Sequence, residues 1–148
     1  MRTDDLADDL LRLAARLSRW ASRSADLGMP WAQARVLSLV EELGPARVTT
    51  LAAADDTSQP TMTTQVQRLV ADGLVARTPD PDDARAWLVS LTDEGTRALA
   101  SARRARGRAL APLLDRVDPS PEAMATAVAL LADLVEATRT PALREDPR

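Results

Sequence analysis

Residues 58–91, SQPTMTTQVQRLVADGLVARTPDPDDARAWLVSL, admit few local structures. Met62, Val66, Leu69 and Val70 recur at i, i+4, i+7 and i+8, which makes one apolar face of an α-helix. Ser58 suits its N-cap and Pro60 its first turn, where an amide donor is not needed. Gly73 supplies the left-handed residue past the helix end. Residues 74–77 and 86–91 then read as two strands. Between them, 78–85 holds Pro79, Pro81 and three aspartates, a composition that bars helix and favours a turn. The stretch is a helix, a stop, and a β-hairpin that reaches beside the helix.

The rest of the chain must be helical. Its 148 residues suit one domain or one compact two-part domain. Apolar residues make up 45% but aromatics only 2%, so the core is built from Leu, Val and Ala. With no Ile, Phe or Tyr to favour strands, the expected fold is mainly α with one small β-hairpin.

The same composition excludes several kinds of chemistry. Without cysteine there is no disulfide, thiolate metal site or thiol redox sensor. Without histidine the usual general base and the commonest transition-metal ligand are missing. All 19 basic residues are arginine, so no lysine nucleophile exists. No spaced pair of carboxylates stands out, and the chain reads as a non-enzyme that needs no metal and no cofactor. No apolar run reaches membrane-span length and the N-terminus lacks a signal-peptide core, so a soluble cytoplasmic protein without a membrane partner is expected.

A first helix is predicted over residues 3–26, with Thr3 as its cap and Leu6, Leu10, Leu13 and Leu17 as a stripe extended by Trp20 and Leu27. That stripe is either core or a dimer seam. Pro30 opens a second helix over 31–42, from whose first turn Gln33 projects. An extended segment at 47–49 and a short third helix over 49–54 follow. Beyond the hairpin, Thr92 caps a long helix to about residue 117, which Pro112 should bend or interrupt. A last helix starts at 119–121 and ends near 139, with Met124, Ala127, Leu131 and Leu134 as its stripe. Arg97, Arg103, Arg104, Arg106 and Arg108 spread around the long helix, which suggests a solvated or intersubunit face.

The third helix, a short turn and the helix opened by Ser58 make a helix-turn-helix. A helix that enters a DNA major groove needs short polar side chains on a narrow outer face. Gln59, Thr61, Thr64 and Gln65 meet that need: glutamine pairs with adenine, and threonine offers a hydroxyl or a methyl. Ser58 and the first-turn amides suit a phosphate, as does Arg68 further along. An ordinary amphipathic surface helix would have a similar polar face, and the hairpin shifts the balance. There Arg85 ends an acidic turn, and Asp83 is expected to orient its guanidinium for the minor groove. A net charge of -3 gives no general attraction to phosphate, so local arginines must supply it.

Several segments in order carry a resemblance to the MarR-type winged helix-turn-helix transcriptional regulators: MPWAQARVL at 29–37, SQPTMT at 58–63, DGLVAR at 72–77, DPDDARA at 80–86 and LTDEG at 91–95. The resemblance implies a winged helix-turn-helix lobe at 29–91, a helical dimerisation region at 1–28 and 92–140, and leaves 141–148 as a flexible tail. It implies a homodimer whose terminal helices interlock. Leu6, Leu10, Leu13, Leu114, Val117, Met124, Leu131 and Leu134 are the candidate interface. By the same resemblance Ser58, Thr61, Thr63, Thr64 and Gln65 meet the major groove and Arg85 the minor groove. The chain departs from the family pattern at Thr64, often basic, at Gln67, often acidic, and at Pro30, where a polar cap is usual.

The expected function is sequence-specific binding of double-stranded DNA by a ligand-responsive repressor at a pseudo-palindromic operator. Arg16, Trp20 and Trp31 are candidates for a small aromatic or anionic effector, against the simpler reading that the tryptophans fill core space and the arginine is solvated. The alternative is a winged-helix module that binds another protein and no DNA, which the acidic balance favours.

Overall fold

A computed structural model describes residues 3–139. The tail expected at 141–148 lies outside the described residues. The element order is α1 (Thr3–Ser24), α2 (Trp31–Leu43), β1 (Ala46–Arg47), α3 (Val48–Ala54), α4 (Gln59–Ala71), β2 (Val75–Asp80), β3 (Asp83–Leu91), α5 (Asp93–Val117) and α6 (Pro121–Arg139). The chain divides into two units, one up to Leu110 and one from Ala111.

The core of the first unit is aliphatic, as the composition requires. Leu37, Leu51, Met62, Leu69, Val36, Val40, Val66 and Val89 are all but sealed from solvent. They bring α2, α3, α4 and β3 together, and Leu99 of α5 joins the same cluster. Of the face expected on α4, Met62, Val66 and Leu69 are buried, but Val70 is exposed. One residue at the edge of a 3.6-period stripe turns out of the contact when α4 packs on α2 and α3.

The end of α4 is shaped by Gly73, at φ 71°. Leu74 N–H donates to the Leu69 carbonyl at 2.9 Å and Gly73 N–H to that of Val70 at 3.0 Å, the paired bonds of a left-handed helix stop. Both leucines are buried, so the stop also aims the chain into β2. Thr92 meets this turn from the other side. Its hydroxyl donates to the Gly73 carbonyl at 2.7 Å and accepts the Gly95 N–H at 3.0 Å, so it caps α5 as expected while anchoring it to the α4 stop.

The sheet has the order β1-β3-β2, all antiparallel. The hairpin is longer than its prolines suggested. β2 runs through Pro79 and β3 starts at Asp83, which leaves Pro81 and Asp82 as the turn, with a register shift at Pro79/Asp80. Pro79 is tolerated because β2 is an edge strand, where an amide on the outer side has no partner to lose. The extended segment expected at 47–49 lies one residue earlier, and Val48 and Thr49 already belong to α3.

Three further expectations are corrected. Pro30 is the N-cap of α2, not its first helical residue, and accepts the Gln33 and Ala34 amides on its carbonyl. Gln33 does not project: it is buried and its Nε2 donates to Asp72 Oδ2 at 3.4 Å, joining α2 to the end of α4. Helix α5 is not interrupted at Pro112, which lacks an amide donor but lies within the helix.

The two ends of the chain behave differently from the core. On α1 only Ala21 and Ser22 are buried, and Leu6, Leu13 and Leu17 are about half exposed. The leucine stripe of α1 is therefore not core within one chain. On α6 no residue is buried, and Val128, Leu130, Leu131, Leu134 and Val135 are exposed. Among the described residues no helix is long and apolar enough to cross a membrane.

Candidate nucleic-acid interface

Helix α4 begins with Ser58, whose hydroxyl accepts the Thr61 amide at 3.3 Å and lies 2.7 Å from the Thr61 hydroxyl. The cap thus occupies Ser58 within its own helix end. Gln59, Thr61, Thr64 and Arg68 are exposed, and Thr63 and Gln65 are half-buried. The hydroxyls of Thr63 and Thr64 donate back to the carbonyls of Gln59 and Pro60, at 2.8 and 3.1 Å. With those protons committed, each threonine hydroxyl is left with acceptor capacity only. The side-chain amides of Gln59 and Gln65 and the Arg68 guanidinium are donors on α4.

The hairpin contributes through its register. Arg77 pairs with Val89 and Pro79 with Trp87. Side chains alternate across a regular strand, so Val89 and Trp87 share one face of β3 with Arg77 of β2, and Arg85 lies beyond the register shift. Val75 and Val89 place the inner part of that face in the core. Its outer part, with Arg77 and Trp87, overhangs a cleft of about 410 Å³ that Arg85 also lines and whose other wall holds Val48, Thr49, Gln59 and Thr63. The structure therefore brings the first turn of α4 and the wing arginine to one groove.

One expected contact is absent. Asp83 accepts the backbone N–H of Arg85 at 3.0 Å and makes no bond to its guanidinium. The residues stand two apart around a tight turn, and the near amide is reached before the far end of a long side chain. Asp83 shapes the backbone that presents Arg85.

Charge at the lobe is divided in two. Arg35 is ion-paired with Asp55, and Arg47 with Asp80 at 2.6 Å. The Asp80 carboxylate also accepts the Asp82 amide at 2.9 Å. That amide, then the Arg47 guanidinium, hold its carboxyl below the ordinary range, and Asp80 in turn raises Arg47. Arg68, Arg77 and Arg85 have no side-chain hydrogen bond or ion pair among the described residues. These three cations are the ones left for an external anion. Arg77 and Trp87 were not singled out from sequence, although a two-residue count from Val75 and from Val89 places both on the inner face.

A second cleft, of about 280 Å³, opens among α1, α2 and α5. Trp31 lines it, whereas Arg16, which is exposed, and Trp20, which is half-buried, do not. Its cations are Arg35, Arg103 and Arg106. Arg35 stacks over the Trp31 ring at 5.3 Å. Arg103 binds Glu41 at 2.6 Å, and Arg106 binds the Ser18 hydroxyl at 2.7 Å. The Arg106 Nε is shut off from solvent without a partner. Arg103 stays exposed, as expected of a solvated face, while pairing with Glu41, and Arg106 is half-buried against Ser18.

Comparison with known proteins agrees with this geometry. Residues 29–87 match the MarR family. An HTH-type transcriptional regulator of Mycobacterium tuberculosis is 33% identical over 116 residues, 78% of this chain and 81% of the relative. The crystal structure of RV1404 from Mycobacterium tuberculosis has a TM-score of 0.69 at 26% identity, covering 97% of this chain and 99% of that one. A mutant MarR from E. coli complexed with operator DNA shares the fold, with a TM-score of 0.58 at 24% identity over 90% of this chain and 99% of that one. A helix-turn-helix with a wing, matched at this identity over this much of its length, means that the chain belongs to the MarR family of transcriptional regulators.

Proposed function

We propose that this chain binds double-stranded DNA as a homodimer, with α4 in the major groove and the wing over the adjacent minor groove. The observation that carries the reading is the shared cleft: Gln59 and Thr63 of α4 face Arg77 and Arg85 of the wing, and neither arginine is spent on an internal carboxylate. Ser58, Thr61, Thr64, Gln65 and Arg68 extend the contact along α4, and Asp83 holds the turn. The operator-bound mutant MarR of the same fold supports the docking.

A second copy of the chain covers the apolar surfaces of the terminal helices. Leu6 and Leu13 of α1, Val117 at the end of α5, and Leu131 and Leu134 of α6 are exposed within one chain, with Leu10, Leu114 and Met124 half-buried beside them. Apolar surface of this extent marks an interface. A two-fold dimer sets two α4 helices about 10 bp apart and so selects a pseudo-palindromic operator, which the protein occludes as a repressor in the cytoplasm. The cleft among α1, α2 and α5 takes a small aromatic anion, with Trp31 as a wall and the guanidinium groups of Arg103 and Arg106 as its cationic side. Such a ligand releases DNA by favouring one dimer geometry over the other.

The test is fluorescence anisotropy on a duplex from the region upstream of the chain's own gene, against random duplex, at physiological salt. Preference for the upstream duplex, with affinity that falls steeply as salt rises, is expected. Equal affinity for both sinks the operator. Binding to neither, with capture of a protein partner instead, supports the protein-interaction module. Sodium benzoate is the probe for the effector cleft: it should weaken the complex, and Arg106→Met should remove that response.

A further inference from the structure

The wing carries an aromatic ring whose exposure the fold does not require. Trp87 is 54% exposed, although it lies on the same face of β3 as the sealed Val89. The cause is length. The hairpin extends beyond the helices, so this face is core at Val75 and Val89 and has nothing packed over it two residues further out. Trp87 is the register partner of Pro79 and lines the cleft between the wing and α4.

The surroundings of Trp87 select what fits there. Its neighbours in the cleft include Arg77, Arg85, Gln59 and Thr63. An apolar peptide would need more apolar surface than one indole set among guanidinium and amide groups. A nucleic-acid backbone presents the complementary alternation, apolar deoxyribose edges between anionic phosphates. An indole is an apolar plate with one N–H donor at its rim and suits that alternation. Arg77 and Arg85 are free to take the phosphates on either side.

We propose that Trp87 is a DNA-contact residue of this wing, its indole laid on a deoxyribose of the strand that passes through the cleft and its Nε1–H donated to the adjoining phosphate. This rests on the DNA-binding reading above. The contact is with backbone, so it adds affinity at every sequence and discriminates none.

The chain has three tryptophans, so replacing Trp20 and Trp31 by Phe leaves Trp87 as the only emitter. This variant is titrated with the upstream duplex while Trp87 emission and its quenching by acrylamide are followed. Quenched or shifted emission and reduced access to acrylamide on the complex are expected. In the otherwise wild-type chain, Trp87→Phe should raise Kd about threefold and Trp87→Ala about tenfold, with the salt slope unchanged. Arg77→Ala should lower that slope by about one. If the double variant does not fold, the same shielding is read on the wild-type chain labelled with 5-fluorotryptophan, by the fluorine signal that Trp87→Phe removes. Duplex binding with Trp87 emission and access unaltered overturns the inference and leaves the DNA-binding reading standing. A wild-type chain that binds no duplex at all overturns both.

Discussion

Arg47 on β1 reaches over β3 to Asp80 at the outer end of β2, Nε to Oδ2 at 2.6 Å. Asp80 is only 6% exposed, and its other oxygen takes the Asp82 amide that closes the wing turn. One buried carboxylate thus ties the hairpin tip to the strand that leads into α3. Because the Asp80 carboxyl is held below its ordinary range, its contribution is fully present above about pH 4 and is lost as pH falls through the lower folded value. Unfolding midpoints measured from about pH 7 down to about pH 3 should fall at the acid end for the wild type. Asp80→Asn should be less stable at neutral pH and show a smaller acid-induced fall. Equal acid sensitivity in both would assign the fall to other carboxylates.

Asp83 and Arg85 separate two roles for the wing acid. Asp83 accepts the Arg85 amide, a bond that an asparagine oxygen also makes. Asp83→Asn should therefore bind DNA nearly as the wild type does, whereas Asp83→Ala should weaken binding and Arg85→Ala should weaken it most. Anisotropy on one duplex at two salt concentrations checks the order. A loss for Asp83→Asn as large as for Arg85→Ala would mean that the carboxylate charge orients the guanidinium.

Thr64 is exposed and spends its hydroxyl proton on the Pro60 carbonyl, which leaves its methyl group as the part available to a thymine methyl. Thr64→Ser keeps the hydroxyl and drops the methyl. Selection of bound duplexes from a randomised pool should show a weakened preference for thymine at one position of each half-site, worth about 0.8 kcal/mol, the scale of one buried apolar carbon. An unchanged preference would place Thr64 away from base edges.

Gly95 stands where α5 passes the Leu74 backbone, and a Cβ there would overlap the Leu74 carbonyl oxygen. The same carbonyl accepts the Thr92 amide at 3.2 Å. Gly95→Ala must push α5 off the stop of α4 and should cost about 1–3 kcal/mol in a chemical denaturation experiment. Gly107→Ala, on the same helix with open space around it, is the control and should be neutral or slightly stabilising.

The proposed dimer predicts stability that depends on protein concentration. Leu13→Glu and Leu131→Glu each place a charge on an apolar surface that is exposed within one chain. Each should shift sedimentation from dimer toward a 15.9 kDa species and remove the rise of Tm with protein concentration. A wild-type chain that sediments as a folded monomer at micromolar concentration would remove the proposed operator geometry.

Local chemistry was legible from sequence wherever a residue type has one structural use. Ser58, Gly73 and Thr92 mark helix ends because few side chains cap a helix or adopt positive φ, and they stand where expected. Periodicity likewise singled out Met62, Val66 and Leu69. Long polar side chains were less legible, since their reach allows several partners. Gln33 turned inward to Asp72, and Asp83 chose a near amide over a distant guanidinium.

The sequence alone determined a mainly helical chain with one hairpin, because Ala, Leu, proline and glycine act through the backbone within a turn or two. It also determined that catalysis by histidine, cysteine or lysine was closed to it. Only the tertiary structure decided which arginines remain available. Arg35 and Arg47 meet Asp55 and Asp80 across gaps of 20 and 33 residues, and Arg77 joins Gln59 at one cleft through the register of β2 on β3. A charge is neutralised by what lies within a few ångströms in space, and no local pattern along the chain encodes that distance.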